Sequence, residues 1–247
     1  MTIDVEKLEQ KLLQIQGKIR PQSDGDGFRF WKPREAHVIR IVPHTPQFIE
    51  LMFHYDVDPN GAILCPTTFN RKCPIDNLRM KLYKSGTDED KVIAKKLKSV
   101  WRFYAPVVVR ETSKPESELK PVWWTFSKTI YESIIRFCKN PEYGDISDPV
   151  SGTDLDIVLT KPQKKGEFAK TSISPKRRSS ALASSEEEIK RITESVPDMM
   201  KEIKELSFDE LQKIADSWLE SMTATKVPED EEVSAESIDE VFKELNE

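Results

Sequence analysis

Four side chains near the middle of the chain carry metal-binding chemistry at a workable spacing: His54, Cys65, Cys73 and Asp76. Zinc takes four ligands from Cys, His or carboxylate groups in a tetrahedron, and a short Cys-x-x-X hook at a helix start supplies two of them from one turn. Cys73-Pro-Ile-Asp76 is such a hook with a carboxylate as its second arm, while His54 and Cys65 would arrive from a strand and from a hairpin around Asn60-Gly61. An oxygen ligand is harder than a fourth thiolate and binds a soft-leaning metal less tightly. The competing reading of this spacing is a buried cysteine pair beside a hairpin histidine. Cys138 is an alternative fourth thiolate if the fold brings it near, and otherwise a buried residue of its helix. His37 and His44 fall in a separate strand and turn and read as structural or solvent-facing.

The second chemical pattern interleaves rings with cations. It runs through Phe28, Phe30 and Trp31, through Lys95, Lys96, Lys98, Trp101, Phe103 and Tyr104, and through Trp123, Trp124, Phe126 and Lys128. Unpaired nucleic acid offers phosphates along one edge and base faces along the other, so a protein that binds it without reading sequence needs cations and flat rings together. In a strand, adjacent side chains point to opposite faces, so of Trp123 and Trp124 one is expected in the core and the other free to stack. A third pattern, Lys161, Lys164, Lys165 and Lys170 ahead of Lys176-Arg177-Arg178-Ser179-Ser180, suits phosphate or an acidic segment.

The elements that must position these groups are short. A strand is expected over 28–31, others over 36–42 and 48–55, then 100–110, 122–126 and 155–160, with helices from just after Cys73, over 88–98 and over 128–139. The strand–helix alternation of a parallel fold is missing, so the pattern predicts a mainly β fold with α additions, a small, partly open barrel carrying a Cys/His insert at about 54–90. Residues 186–222 read as helices broken at Pro197, with Ser207 and Glu210 in capping-box positions ahead of the last one. An amphipathic arm over 1–20 precedes the body, joined by the Pro/Gly-containing run 21–27, and a tail follows over 223–247.

Charge divides along the same lines. Net charge is −5, but residues 229–247 hold nine acidic groups against one lysine, −8 in all, so the remaining 228 residues carry +3. The tail could occupy the basic surface of its own body or recruit partner proteins. Three cysteines and no secretory leader point to a reducing compartment, and no apolar run is long enough to span a bilayer. Neither His-Glu-x-x-His nor a phosphate-binding Gly-x-x-x-x-Gly-Lys-Ser/Thr loop occurs, which argues against a zinc hydrolase or a nucleotidase.

Together these residues resemble the T4-type phage single-stranded DNA-binding proteins, the helix-destabilising family, over roughly 28–221. That family's zinc ligands run His, Cys, Cys-Pro-x-Cys, matching His54, Cys65 and Cys73-Pro-Ile, with Asp76 in place of the last cysteine. Its basic patch ahead of a Tyr-Trp pair corresponds to Lys95, Lys96, Lys98 and Ser99 ahead of Val100-Trp101, and its Tyr-x-Phe strand to Trp124-Thr-Phe126. Phe168 stands near its later groove aromatics, whereas the Lys/Arg-rich motif of its N-terminal arm has no counterpart in residues 1–20. The resemblance implies an OB-fold core with one structural Zn2+ and a non-enzymatic coat on single-stranded DNA during phage replication, recombination and repair. It further implies self-association along DNA, replisome and recombination partners held by the acidic tail, and residence in the host cytoplasm at replication sites. The DNA-contacting set is then Lys95, Lys96, Lys98, Trp101, Trp124, Phe126, Lys128 and Phe168. The rival is an adaptor of the replication machinery whose zinc module is purely structural.

Overall fold

The computed structural model describes residues 30–110, 115–162, 164 and 168–224. The arm expected over 1–20 lies outside them, as does the tail beyond Ala224. Within them the strands are β1 (Phe30–Trp31), β2 (His37–Ile41), β3 (Ile49–Asp58), β4 (Gly61–Leu64), β5 (Val100–Arg110), β6 (Val122–Phe126), β7 (Thr153–Thr160) and β8 (Lys170–Ser179). The helices are α1 (Pro74–Ser85), α2 (Asp88–Lys96), α3 (Lys128–Lys139), α4 (Glu186–Glu194), α5 (Met199–Glu202) and α6 (Phe208–Ala224), with a 3-10 turn over Pro66–Phe69.

All eight strands belong to one sheet, in the order β1-β6-β5-β2-β7-β8, with β3 paired to β5 and β4 to β3. β5 is the spine: it pairs antiparallel with β3 over Val100–Tyr104, with β6 over Phe103–Val107 and with β2 over Val107–Arg110. The expected barrel is not formed. Among the described residues no ladder joins β8 to β1 or β6, so the sheet stays open and the fold is mixed α/β. The β7–β8 hairpin and β6 are not paired with each other, although Leu159 and Thr171 line the same groove as Thr125 and Phe126.

Helices cover both faces of this sheet. On one face Ile39, Ile41, Phe103, Ala105, Val107, Trp124, Phe126, Leu155 and Ile157 pack with Ile130 and Ile134 of α3. On the other, Leu51, Leu64, Tyr104 and Trp123 pack with Met199, and Val42 and Val108 pack with Leu182 and Ile192. Trp123 and Trp124 do point to opposite faces, yet each is only 1% exposed, because neither face is left to solvent. The indole of Trp123 also donates to the Pro197 carbonyl at 2.8 Å, tying the α4–α5 break to the sheet.

The chain after β7 was not legible as a strand. β8 reads Lys-Thr-Ser-Ile-Ser-Pro-Lys-Arg-Arg-Ser and is mostly exposed, so hydrophobic enrichment misses it, although Thr171, Ile173 and Pro175 alternate inward. A buried cation fixes the far end of the sheet. Arg40 of β2, fully buried, donates to Asp154 at 2.8 Å and to the Ser180 carbonyl at 2.7 Å, and Asp154 also receives Arg110 at 3.2 Å. Gly152 is required beside it: a Cβ there would lie 2.4 Å from the Asp148 carbonyl oxygen and 2.8 Å from Arg40 Nη1.

Candidate metal centre and aromatic groove

β3 carries the first ligand by alternation. Leu51 and Phe53 face the core under α5, whereas Met52 and His54 face the module built from the β4 end, α1, α2 and α6. The alternation then slips: Asp56 takes φ +59 in a bulge between the His54 and Asp58 pairings, which turns Val57 into the module's core. Trp218 of α6 donates to the Asp56 carbonyl at 3.1 Å and locks that bulge.

Cys65 follows β4 as the N-cap of the 3-10 turn, and Cys73 is the N-cap of α1, with Pro74 at N1 and Asp76 in the first turn. The four candidate ligand atoms lie within 4.8 Å of one another, with Cys73 Sγ 3.4 Å from His54 Nε2 and Cys65 Sγ 3.2 Å from Asp76 Oδ2. A tetrahedron of metal–ligand bonds of roughly 2.0–2.3 Å has edges of roughly 3.3–3.8 Å, so the Cys73–His54 pair matches it and the Cys65–Asp76 pair is slightly shorter. His54 is fully buried and its Nδ1 is 2.9 Å from the Leu97 carbonyl. A carbonyl only accepts, so Nδ1 carries the proton and Nε2 turns its lone pair inward, the tautomer a ligand needs.

The two thiols are unequal. Hydrogen bonding with Cys73, then burial, pushes Cys65 well above the usual thiol range; the same bond, together with the Asp76 and Ile75 amides, holds Cys73 below it. Cys73 is the thiolate-prone member, as suits a sulfur at a helix N-terminus. The cluster could therefore coordinate a metal ion with one nitrogen, two sulfurs and one oxygen. Cys138 stands apart from it on α3, exposed rather than buried. His44 packs edge-on against Trp123 and His37 against Trp31, both away from the cluster.

The other face of the same stretch of β3 opens on a groove of about 700 Å³. Four rings adjoin in sequence along it: Phe30 is 5.1 Å from Tyr104, Tyr104 is 6.5 Å from Phe53, and Phe53 is 6.4 Å from Tyr55. Arg102 lies 5.2 Å over the Tyr55 ring and its Nε donates to the Tyr55 hydroxyl at 2.9 Å. Lys32 and Lys204 bring two further cations. Burial pushes Tyr104 up to about 12, so its phenol stays neutral. A second, more apolar groove of about 950 Å³ runs between α6 and the β3–β4 hairpin and shares Tyr55 and Ala62 with the first.

The expected contact residues divide. Trp124 and Phe126 touch this groove but are 1% and 5% exposed, so packing in the core replaces the stacking expected of them. Lys95, Lys96 and Lys98 are exposed at and beyond the end of α2 and are not among the groove's walls. Trp101, 41% exposed, and Lys128 meet instead in a smaller pocket with Phe103 and Tyr131, where the Phe103 and Tyr131 rings stack at 4.2 Å. Phe168 is fully displayed just before Ala169, which lines the main groove. Sequence reasoning passed over Tyr55 and Arg102. The signal was present, since Phe53/Tyr55 and Arg102/Tyr104 are each two residues apart on paired strands.

No described helix is long and apolar enough to cross a membrane. A family model described as gp32 DNA binding protein like matches residues 34–220, and no curated protein matches the sequence.

Proposed function

Because the chain belongs to the gp32 DNA binding protein like family, a family of DNA-binding proteins rather than of enzymes, we propose that it binds and coats single-stranded DNA without strong sequence preference. The observation that carries this is the set of accessible rings Phe30, Phe53 and Tyr55, joined through the buried Tyr104, with Arg102 laid against Tyr55 in one open groove. Bases stack on the accessible rings, each contributing roughly 1–3 kcal/mol, and Arg102, Lys32 and Lys204 take phosphates. Phe168 extends this surface, Trp101 and Lys128 offer a second contact in the pocket on the opposite side of β5, and Lys95, Lys96 and Lys98 add an outer field that draws the strand in. A ligand that binds only the unpaired form pulls the duplex equilibrium toward melting by mass action.

Zinc is the metal that this donor set suits best, and when bound it supplies a structural cross-link, not chemistry. His54, Cys65, Cys73 and Asp76 would hold it. In this reading the protein serves phage DNA replication, recombination and repair in the host cytoplasm. The arm over 1–20 mediates contact between neighbours on DNA, and the acidic tail over 223–247 meets replication partners.

The test is fluorescence titration with oligo(dT), oligo(U) and duplex at several salt concentrations. Trp123, Trp124 and Trp218 are buried, so Trp101 and the half-buried Trp31 are the reporters. The expected result is salt-dependent quenching by oligo(dT) and little by duplex. Equal binding of both, or no response together with no retention of oligo(dT) on the protein, overturns the proposal.

A further inference from the structure

The Asp76 carboxylate uses its two oxygens differently. Oδ2 turns into the metal cluster, 3.2 Å from Cys65 Sγ, and accepts a hydrogen bond of 3.1 Å from Thr67 Oγ1. Oδ1 turns outward to Arg79 Nη1 at 3.9 Å, an ion pair one turn along α1. Both neighbours are held by their elements: Thr67 lies two residues after Cys65 in the 3-10 turn, and the Arg79 guanidinium sits 5.4 Å over the Tyr83 ring. Arg79 Nε is buried with no hydrogen-bond partner among the described residues, so the side chain is kept in this position at a desolvation cost.

We infer that Thr67 and Arg79 are positioning residues that make Asp76 a one-oxygen ligand to a divalent metal; the inference rests on the metal reading above. A carboxylate free to turn can offer both oxygens, which raises the coordination number and suits larger, harder cations. With Oδ1 facing a guanidinium and Oδ2 oriented by a hydroxyl, Oδ2 is the oxygen placed to complete a tetrahedron with two sulfurs and one nitrogen. Charge agrees: two thiolates and one carboxylate bring −3 against the +2 of the ion, and Arg79 offsets the remaining −1. An outer hydrogen bond from Thr67 and an ion pair from Arg79 would orient the ligand as a second layer of the site.

The experiment titrates Co2+ into the metal-free full-length chain, follows the visible spectrum, and measures Zn2+ affinity by competition with a chelator. The wild type should give the intense bands of a four-coordinate site containing sulfur. T67V and R79M should each lower affinity by about 10-fold and weaken those bands as coordination expands. T67S should restore both readouts, and R79K should restore the affinity. Wild-type affinity and spectrum in T67V and R79M overturn the inference and leave the metal reading standing. Failure of the wild type to bind either ion, with C73S indistinguishable from it, overturns both. Thr67 is exposed, so T67V keeps the test decisive even if R79M does not fold.

Discussion

Arg102 is the side chain on which single-strand binding should depend most, because it has the two properties such a surface requires. It carries charge, and it is fixed against a ring by a hydrogen bond of 2.9 Å to Tyr55. Arg102→Ala should weaken oligo(dT) binding by about 1–3 kcal/mol and lower the slope of log affinity against log salt by about 0.7, measured by titration across salt concentrations. Tyr55→Ala should weaken binding with the salt slope nearly unchanged, since it removes a face and not a charge. Asp154 is decisive for stability instead. It is the shared partner of Arg40 and Arg110, and Arg40 is fully buried. Asp154→Ala leaves a buried guanidinium without its counter-charge and should cost about 3–5 kcal/mol in urea unfolding. Replacing Arg40 and Asp154 together by Met and Leu should recover much of that loss.

Elements explain why some of this could be read from the sequence and some could not. His54, Cys65, Cys73 and Asp76 were legible because hook, hairpin and strand each follow from local signals, and the fold brings the four atoms together. Trp123 and Trp124 were not, because strand periodicity says which way a ring points but not whether a helix covers it. Closure of the sheet is likewise a long-range property: six of its strands were expected in the right places, and whether β8 meets β1 is written in no local pattern. The capping box of α6 was legible and has a pH consequence. Glu210 accepts from the Ser207 amide and hydroxyl at 2.8 Å, and these bonds lower its pKa from the ordinary value of 4.5. With the folded value depressed, the contribution is fully present above the unfolded pKa and is lost as pH falls through the folded one. Glu210→Gln should therefore lower stability modestly at neutral pH, where the carboxylate's contribution is present, and converge with the wild type in acid below about pH 4.5, flattening that limb as thermal unfolding across pH would register.

For the whole molecule, the metal module and the groove are one structure seen from two sides. His54 faces the ligand cluster, while its chain neighbours Phe53 and Tyr55 line the groove. The module's interior also contains Leu211, Ala215 and Trp218 of α6. Removing metal with a chelator should therefore raise amide exchange in α6 and in the β3 bulge together, and lower oligo(dT) affinity. Unchanged exchange in α6 would count against a structural role for the ion. Charge acts at this scale too: the chain without residues 229–247 carries +3, against −5 with them.

The 11-residue β5 places Trp101 and Phe103 toward one cavity and Arg102 and Tyr104 toward the other. Inheritance of this protein should thus be sensitive to the parity of small indels near Val100. Losing a single codon there exchanges the two linings wholesale, whereas losing a pair merely shortens the strand and leaves each side chain on its own side of the sheet.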